Sequence, residues 1–274
     1  MAASDWTVVT VTYNSRVDLE RYWRDRVVSE FHWIVVDNAS SDGTSEAAAA
    51  LGAEVLSLPV NVGFGAANNV GLGAARSRYV AFVNPDVRGD LPGLETLEQT
   101  IKTTQGIVGP QLVGEDGSAQ PNGRGFPFLS DKLAHRGVRI PGSNLDRYLI
   151  VPATHSPTHV AWLMGAAVCA RRDVFDLLGG WNDDYFIYYE DHELGLRAWS
   201  QEVPVVLDPR VQWVHAWNRA TTRPSVQHWR HELASARVFF RTYPEFLAPT
   251  RGRADRRHAT AARLVGRALK EEAL

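Results

Sequence analysis

Trp6-Thr7-Val8-Val9-Thr10-Val11-Thr12 is the stretch on which the fold turns. It is β-branched and apolar on both faces, the pattern of a strand buried from both sides in a parallel sheet. Asn14 or Ser15 stands next, where a helix cap belongs, ahead of a segment carrying Leu19, Tyr22 and Trp23. The strand signal returns at His32-Trp33-Ile34-Val35-Val36-Asp37. Residues 40–43 make a turn, and Thr44 is expected to cap an alanine-rich helix reaching Leu51. Residues 54–57 read as a third strand, 63–76 as a small-residue helix and 79–83 as a fourth strand. Strands and helices alternating at this spacing are βαβ units. The expectation is an α/β fold whose mostly parallel sheet is flanked by helices, with residues 1–110 as its nucleotide-binding half.

Regularity then fades. Residues 114–158 are rich in Gly, Pro and Ser, including Pro121-Asn122-Gly123-Arg124-Gly125-Phe126-Pro127. A loop of that length inside a domain is usually functional, and it is expected to shape an acceptor site. Residues 159–170 read as one strand, 190–200 as a helix, 203–207 and 211–217 as two strands, and a helix is expected from about Pro224 to Phe240. Residues 111–245 thus form a second half continuous with the first, and 246–274 a basic helical tail.

Composition excludes several classes. The chain has 274 residues, 45% hydrophobic and 22% charged, which is globular rather than disordered or fibrous. A net charge of −2 provides no field for nucleic acid. The one cysteine, Cys169, rules out an intrachain disulfide and a four-cysteine zinc site. The longest apolar run, 160–170, is too short to span a bilayer. The opening MAASDW lacks a basic region and an apolar core, so no signal peptide is expected and a cytoplasmic location is. Lysine occurs only at 102, 132 and 270, a bias that carries no functional weight at this level.

Five clusters carry chemistry. Asp37 ends the second strand, where ligands sit in open α/β sheets. Its carboxylate suits a ribose hydroxyl or a base N–H, and equally an Asx turn. In Asn61-Val62-Gly63-Phe64-Gly65-Ala66-Ala67-Asn68-Asn69, two glycines permit close backbone approach at a helix start. Asn68 stands where a dinucleotide fingerprint has its third glycine, and the motif follows the third strand, not the first. Helix packing through small residues explains the alanines but not the paired asparagines. Asn84-Pro85-Asp86 ends a buried strand. Proline forces a turn, which leaves Asp86 at the carboxyl edge as a turn residue or as an oxygen ligand for a divalent cation. Tyr188-Tyr189-Glu190-Asp191-His192-Glu193 sets acids at a helix start, where the macrodipole favours them. The aromatic lead-in from Trp181, with Asp183 and Asp184, suits a sugar site as well. His215 lies between Trp213 and Trp217, as a packed core residue or a metal ligand. His228 and His231 match neither common zinc-protease order and read as structural.

Together these motifs resemble the family 2 inverting glycosyltransferases of GT-A fold, in particular their rhamnosyltransferase-like branch. The likeness runs from Trp6 to His215 and rests on residues 10–14, 36–43, 61–69, 84–86, 179–181 and 189–191 and on His215. The resemblance implies a nucleotide-diphosphate-sugar donor, Mg²⁺ or Mn²⁺, and a hydroxyl acceptor on a glycan, glycolipid or small molecule. It implies a donor site at Thr12, Asn14, Asp37, Asn38, Asn61, Gly63, Asn68 and Asn84. Asn84-Pro85-Asp86 stands where the family has its Asp-x-Asp metal motif, with the first acid replaced by an uncharged amide. Asp86 and His215 are the implied metal ligands. Glu190 and Asp191 stand for the catalytic acid pair, with Asp191 as base.

Two rivals were weighed. An NAD-dependent sugar-nucleotide enzyme needs a glycine fingerprint after the first strand, and residues 10–15 contain no glycine. A non-catalytic nucleotide-sugar-binding module has only Asn84 in its favour. The tail from Arg251 to Lys270 holds seven basic residues against one acid. Alanines at 259, 261 and 262 with Leu264, Val265 and Leu269 give it a modest apolar face. Peripheral contact with the inner face of a membrane is the sharper expectation for it; packing on the domain or on a dimer mate is the plainer one.

Overall fold

The computed structural model describes residues 5–24, 31–141, 143–216, 226–247 and 251–271. The expected strand end at Trp217 and helix start near Pro224 lie outside the described residues.

The first half follows the sequence closely. β1 (Trp6–Thr12), α1 (Arg16–Tyr22), β2 (His32–Asp37), α2 (Thr44–Ala50), β3 (Glu54–Ser57), α3 (Phe64–Ala74) and β4 (Tyr79–Val83) succeed one another. β1 pairs in parallel with β2 and β4, and β2 with β3. Because strand side chains alternate, β1 and β2 feed two cores at once. Val9, Val11, Ile34 and Val36 enter one, and Trp6, Val8, Trp33 and Val35 the other. Each such aliphatic side chain contributes about 1.5–3 kcal/mol on burial. α3 lies close on β1 because Gly71 has no side chain: a Cβ there would come within 2.3 Å of Val9 Cγ1.

Two caps differ from expectation. Ser15 is the N-cap of α1, but its hydroxyl makes no capping hydrogen bond. The cap of α2 is Gly43, at φ +85°, not Thr44. Thr44 is the first helical residue, and its Oγ1 instead accepts from the Ser15 backbone N–H, tying the two helix starts together.

The remaining elements are β5 (Val87–Arg88), α4 (Leu91–Thr104), β6 (Ile107–Val113), β7 (Gly123–Arg124), α5 (Leu129–His135), α6 (Leu145–Tyr148), β8 (Leu149–Ile150), β9 (Thr158–His159), β10 (Trp162–Leu163), β11 (Ala167–Arg171), α7 (Arg172–Leu178), α8 (Glu190–Ser200), β12 (Val205–His215), α9 (Val226–Thr242), a 3₁₀ turn (Pro244–Phe246), α10 (Arg251–Arg257) and α11 (Ala259–Glu271). The main sheet runs β3-β2-β1-β4-β11-β6-β12-β5, with β9 also on β12. β11 is antiparallel to its neighbours and β6 is parallel to β12. A small antiparallel sheet, β10-β7-β8, stands apart.

Residues 159–170 are therefore not one strand. The segment leaves β12, crosses the small sheet at β10, and enters the main sheet at β11. Conversely, 203–207 and 211–217 are not two strands: β12 is continuous, with a register shift between Asp208 and Gln212. Asp208, on the bulge, accepts from Thr100 Oγ1 at 2.6 Å and from Arg210 Nε at 2.9 Å.

The topology sets the site. Because β11 is antiparallel to β4, with Ala167 opposite Val83, its start lies at the carboxyl end of β4. His215, the last residue of β12, pairs with Val87 and so returns to the same edge. The tail closes the molecule. Ala261 and Val265 of α11 join the first core, and α11 packs against β9. Ala261 and Val265 are thereby buried and Leu264 half-buried, while Arg256 of α10 and Arg263 of α11 remain exposed. No helix among the described residues is long and apolar enough to cross a membrane.

Candidate active site

The expected donor residues form two linked groups at the carboxyl edge. Asp37 Oδ1 accepts from Thr12 Oγ1 at 3.2 Å and from Ser40 Oγ, and Oδ2 accepts from Ser45 Oγ. Three of the roughly four lone-pair positions of this buried carboxylate are thus filled internally. Asn14, at φ +52°, accepts from the Ser41 N–H at 2.9 Å, and its own N–H donates to Ser40 Oγ. In the second group Asn38 Nδ2 donates to Asn61 Oδ1 at 2.9 Å and to the Gly63 carbonyl at 3.1 Å, while its Oδ1 accepts from Val62 N. Asn68 stays apart from both groups. It is buried in α3, and its Nδ2 has no partner among the described residues.

The rest of the Asn-Val-Gly-Phe-Gly motif grips the aromatic segment before α8. Gly63 adopts φ +92°, and a Cβ there would lie 2.4 Å from the Phe186 carbonyl oxygen. The Phe64 N–H donates to that same oxygen at 2.8 Å. Asn69 brackets Trp181, accepting from its N–H and donating to its carbonyl, both at 2.8 Å. Asn69 is therefore a brace between α3 and residue 181, which accounts for one of the two asparagines. The histidines expected to be structural lie on α9. His231 stacks on Phe186 at 4.5 Å, and the side chain of His228 lies outside the described residues.

Asn84 and Asp86 turn away from β4 as the proline requires. The Asn84 N–H donates to the Ala166 carbonyl, and the Asp86 carbonyl accepts from the Ala216 N–H. Asp86 Oδ2 faces His215 Nε2 at 3.5 Å. Gln120, which sequence reading missed, decides the state of that imidazole. Its Nε2 donates to the His215 carbonyl at 2.9 Å, so its Oε1 is the acceptor 2.8 Å from His215 Nδ1. Nδ1 therefore carries a proton, and Nε2 is the ring nitrogen turned to Asp86. A carboxylate beside an imidazole whose far nitrogen is held by an acceptor is a donor set that suits a divalent cation of the Mn²⁺ type. No group of three or more His, Cys, Asp or Glu suited to a metal occurs among the described residues, so a bound ion would draw further ligands from elsewhere.

The acid pair opens α8. Tyr188 and Tyr189 both take φ +70°, which costs bulky residues about 1–2 kcal/mol each and turns the chain sharply into the helix. Glu190 is buried, and its Oε2 has no partner among the described residues. Burial, and then the charge of Asp191, raise its carboxyl well above the ordinary range. Asp191 goes the other way. Burial would raise it, but His192 and the Gly165 N–H outweigh that and hold it below the usual value. The Gly165 N–H reaches Asp191 Oδ2 at 3.2 Å, and His192 Nδ1 lies 2.6 Å from Oδ1. Two adjacent acids whose surroundings push their pKa values apart are a recurring catalytic arrangement.

Three further residues around this pair escaped the sequence. Lys132 Nζ is 2.8 Å from His192 Nε2 and 3.6 Å from the Tyr189 ring centroid. Arg124 is buried between the rings of Tyr148 and Trp162, with Nε and Nη1 unpaired among the described residues. Gly165 supplies its backbone N–H. The scarcity of lysine was the one available signal for Lys132. Nothing in the chain order marks Arg124 or Gly165.

The large, mostly parallel sheet flanked by helices is a GT-A fold. The chain belongs to glycosyl transferase family 2, whose model matches residues 7–154. The N-acetylglucosaminyl-diphospho-decaprenol L-rhamnosyltransferase of Mycobacterium tuberculosis is 29% identical over 258 residues, 85% of this chain and 82% of that one. Among solved structures, the mannosyltransferase PcManGT from Pyrobaculum calidifontis, with GDP-Man and Mn²⁺, matches with a TM-score of 0.55 and 18% identity over 84% of this chain and 61% of that one. GalNAc-T7 with UDP, GalNAc and Mn²⁺ matches with a TM-score of 0.57 and 14% identity over 78% of this chain and 44% of that one. These two likenesses bear on the fold.

Proposed function

We propose that this glycosyltransferase moves rhamnose, or a related hexose or deoxyhexose, from a nucleotide-diphosphate sugar to an acceptor hydroxyl in a single inverting displacement, with Asp191 as base. The observation that carries the reading is the Asp191 carboxylate at the start of α8, gripped by the Gly165 N–H at 3.2 Å and by His192 Nδ1 at 2.6 Å. An ionised carboxylate held by the Gly165 N–H and His192 can take the acceptor's proton as its oxygen attacks the anomeric carbon. Residues 1–110 are the donor half, with Thr12, Asn14, Asp37, Asn38, Asn61, Gly63, Asn68 and Asn84 toward the nucleotide sugar. Residues 111–245 are the acceptor half.

Asp86 and His215 would hold a divalent ion, which when bound offsets the charge gathering on the leaving diphosphate. This chain's own contribution there is to present one carboxylate and one ring nitrogen, with Gln120 fixing the ring. The relative named for rhamnosyl transfer to N-acetylglucosaminyl-diphospho-decaprenol supports rhamnose as donor sugar and a lipid-linked glycan as acceptor. A cytoplasmic protein touching the inner membrane face through its tail follows from that acceptor, and a dimer is compatible with it.

Asp191→Asn tests the assignment. It should fold and bind donor as wild type does, with kcat lower by about 10²–10⁴. Wild-type turnover in that variant would remove Asp191 as base.

A further inference from the structure

Lys132 lies on α5, in the stretch that the sequence left without regular structure, yet it points into the acid pair. Its Nζ is 2.8 Å from His192 Nε2, and His192 Nδ1 is 2.6 Å from Asp191 Oδ1. His192 is buried, and its ring stacks on Trp162 with centroids 3.6 Å apart and planes at 20°. The imidazole therefore has a fixed plane and a partner at each nitrogen.

Donor and acceptor roles follow from the ends of this chain. An ammonium has donors only, so His192 Nε2 must accept from it. The ring proton then sits on Nδ1 and is donated to Asp191 Oδ1. That oxygen also accepts from the His192 backbone N–H at 2.8 Å. Oδ1 is thereby occupied twice, and among the described residues Oδ2 carries only the Gly165 N–H, at 3.2 Å. Without Lys132 the imidazole is free to adopt the other tautomer. Its bare Nδ1 would then face the carboxylate with no proton between them.

We propose that Lys132 is a positioning residue for the transfer reaction: acting through His192, it fixes Asp191 so that Oδ2 is the oxygen presented to the acceptor hydroxyl. This rests on the reading of Asp191 as base. As the acceptor oxygen bonds to the anomeric carbon, the bond from that carbon to the diphosphate breaks and the nucleoside diphosphate leaves; the acceptor proton passes to Asp191 Oδ2, and Lys132 and His192 keep theirs.

The surroundings agree with a charge placed for this purpose. The groups facing Lys132 are Glu190, Asp191, His192 and Tyr189 from α8, Arg124 from β7, Arg136 from its own α5 and its C-terminal side, and Glu232 from α9. Burial, helped by Arg124 and Arg136, lowers the ammonium to about 7, against the pull of Asp191 and Glu232. An ammonium held at that cost would be better replaced by an apolar side chain if its role were only to fill space.

The experiment is a double-mutant cycle with steady-state kinetics across pH on the full chain, using nucleotide sugar and acceptor in wild type, Lys132→Met, His192→Gln and the double variant. Lys132→Met should lower kcat at least tenfold with donor KM within twofold. It should also move the acid limb of kcat to higher pH, because a cation that favours the Asp191 carboxylate is gone. In the His192→Gln background, Lys132→Met should cost less than twofold more, since the path from lysine to carboxylate is already cut. Lys132→Met should melt at or above the wild-type temperature. If it does not fold, Lys132→Gln enters the cycle in its place with the same expectations. Wild-type kcat and pH limb in the lysine variant, or costs that simply add in the double variant, overturn the proposal. Asp191→Asn separates the two readings: if it is inactive while Lys132→Met is normal, only the lysine's role falls.

Discussion

Gly63→Ala exposes how the Asn61–Asn69 motif holds the segment that leads into α8. Gly63 sits at φ +92° and ψ 170°, a region that is nearly glycine-only and costs other residues about 1–3 kcal/mol. The new Cβ would also lie 2.4 Å from the Phe186 oxygen and 2.9 Å from its Cα. Both are backbone atoms, so no rotamer change relieves the contact. The chain at Phe186 has to retreat, and the Phe64 N–H loses its 2.8 Å acceptor, worth about 1 kcal/mol net. The sum is about 2–4 kcal/mol, a large share of the ~5–15 kcal/mol that holds an ordinary domain together. At about 2–4 °C per kcal/mol for a chain of this size, the melting temperature should fall by about 5–15 °C. Activity should fall further than stability alone explains, because Phe186 leads directly into the strained turn before Glu190 and Asp191. Gly73→Ala is the matched control. It lies in the same helix, exposed, and its Cβ would meet nothing within 4 Å. It should stabilise by about 0.4–1 kcal/mol. Urea unfolding of the two variants beside wild type reads both signs. Equal midpoints for Gly63→Ala and wild type would refute the claim that this glycine is required by the contact with Phe186.

Asp86→Ala should weaken donor binding as well as turnover, and a chelator should reproduce the effect in wild type, with activity restored by Mn²⁺ or Mg²⁺; isothermal titration with the nucleotide sugar checks it. Stability should decline as pH falls below about 6.5 toward about 4, because burial lowers His192 to about 4 while the unfolded chain takes up that proton at its ordinary value. Urea midpoints at pH 7, 6 and 5 in wild type and His192→Gln read this, and the variant should lose part of the slope. Arg256→Glu with Arg263→Glu should abolish cosedimentation with anionic liposomes without lowering the melting temperature, since both arginines are exposed and Ala261 and Val265 of α11 are already buried. Equal recovery of both proteins in the supernatant of anionic liposomes would end the membrane contact.

What the sequence made legible is what local pattern alone decides. β1, β2, β4 and α8 end where their residues say they should, because each is either a buried, mostly apolar run or begins at an acidic helix start. The segment 159–170 misled because apolarity reports burial but not partner. The same run serves three sheet contacts in turn, and only the pairing partners, β12, β7 and β4, distinguish them. β12 misled in the opposite sense: Asp208-Pro209-Arg210 reads as a break, yet Arg210 and Thr100 satisfy the Asp208 carboxylate and let the strand bulge and continue. The same distinction runs through the site. Asp86, His215, Glu190 and Asp191 stand in motifs, so their types and order could be read. Gln120 acts on His215 across 95 positions, and Lys132 on His192 across 60. Neither has a local signature, because a hydrogen-bond partner needs only the right atom at the right place, whichever element supplies it. The residues proposed to perform the chemistry therefore stand in sequence motifs, while their hydrogen-bond partners Gln120 and Lys132 emerge only when the chain is folded. Substitutions at Gln120 and Lys132 are accordingly the ones that local pattern would pass as harmless and that the site's hydrogen-bond directions say are not.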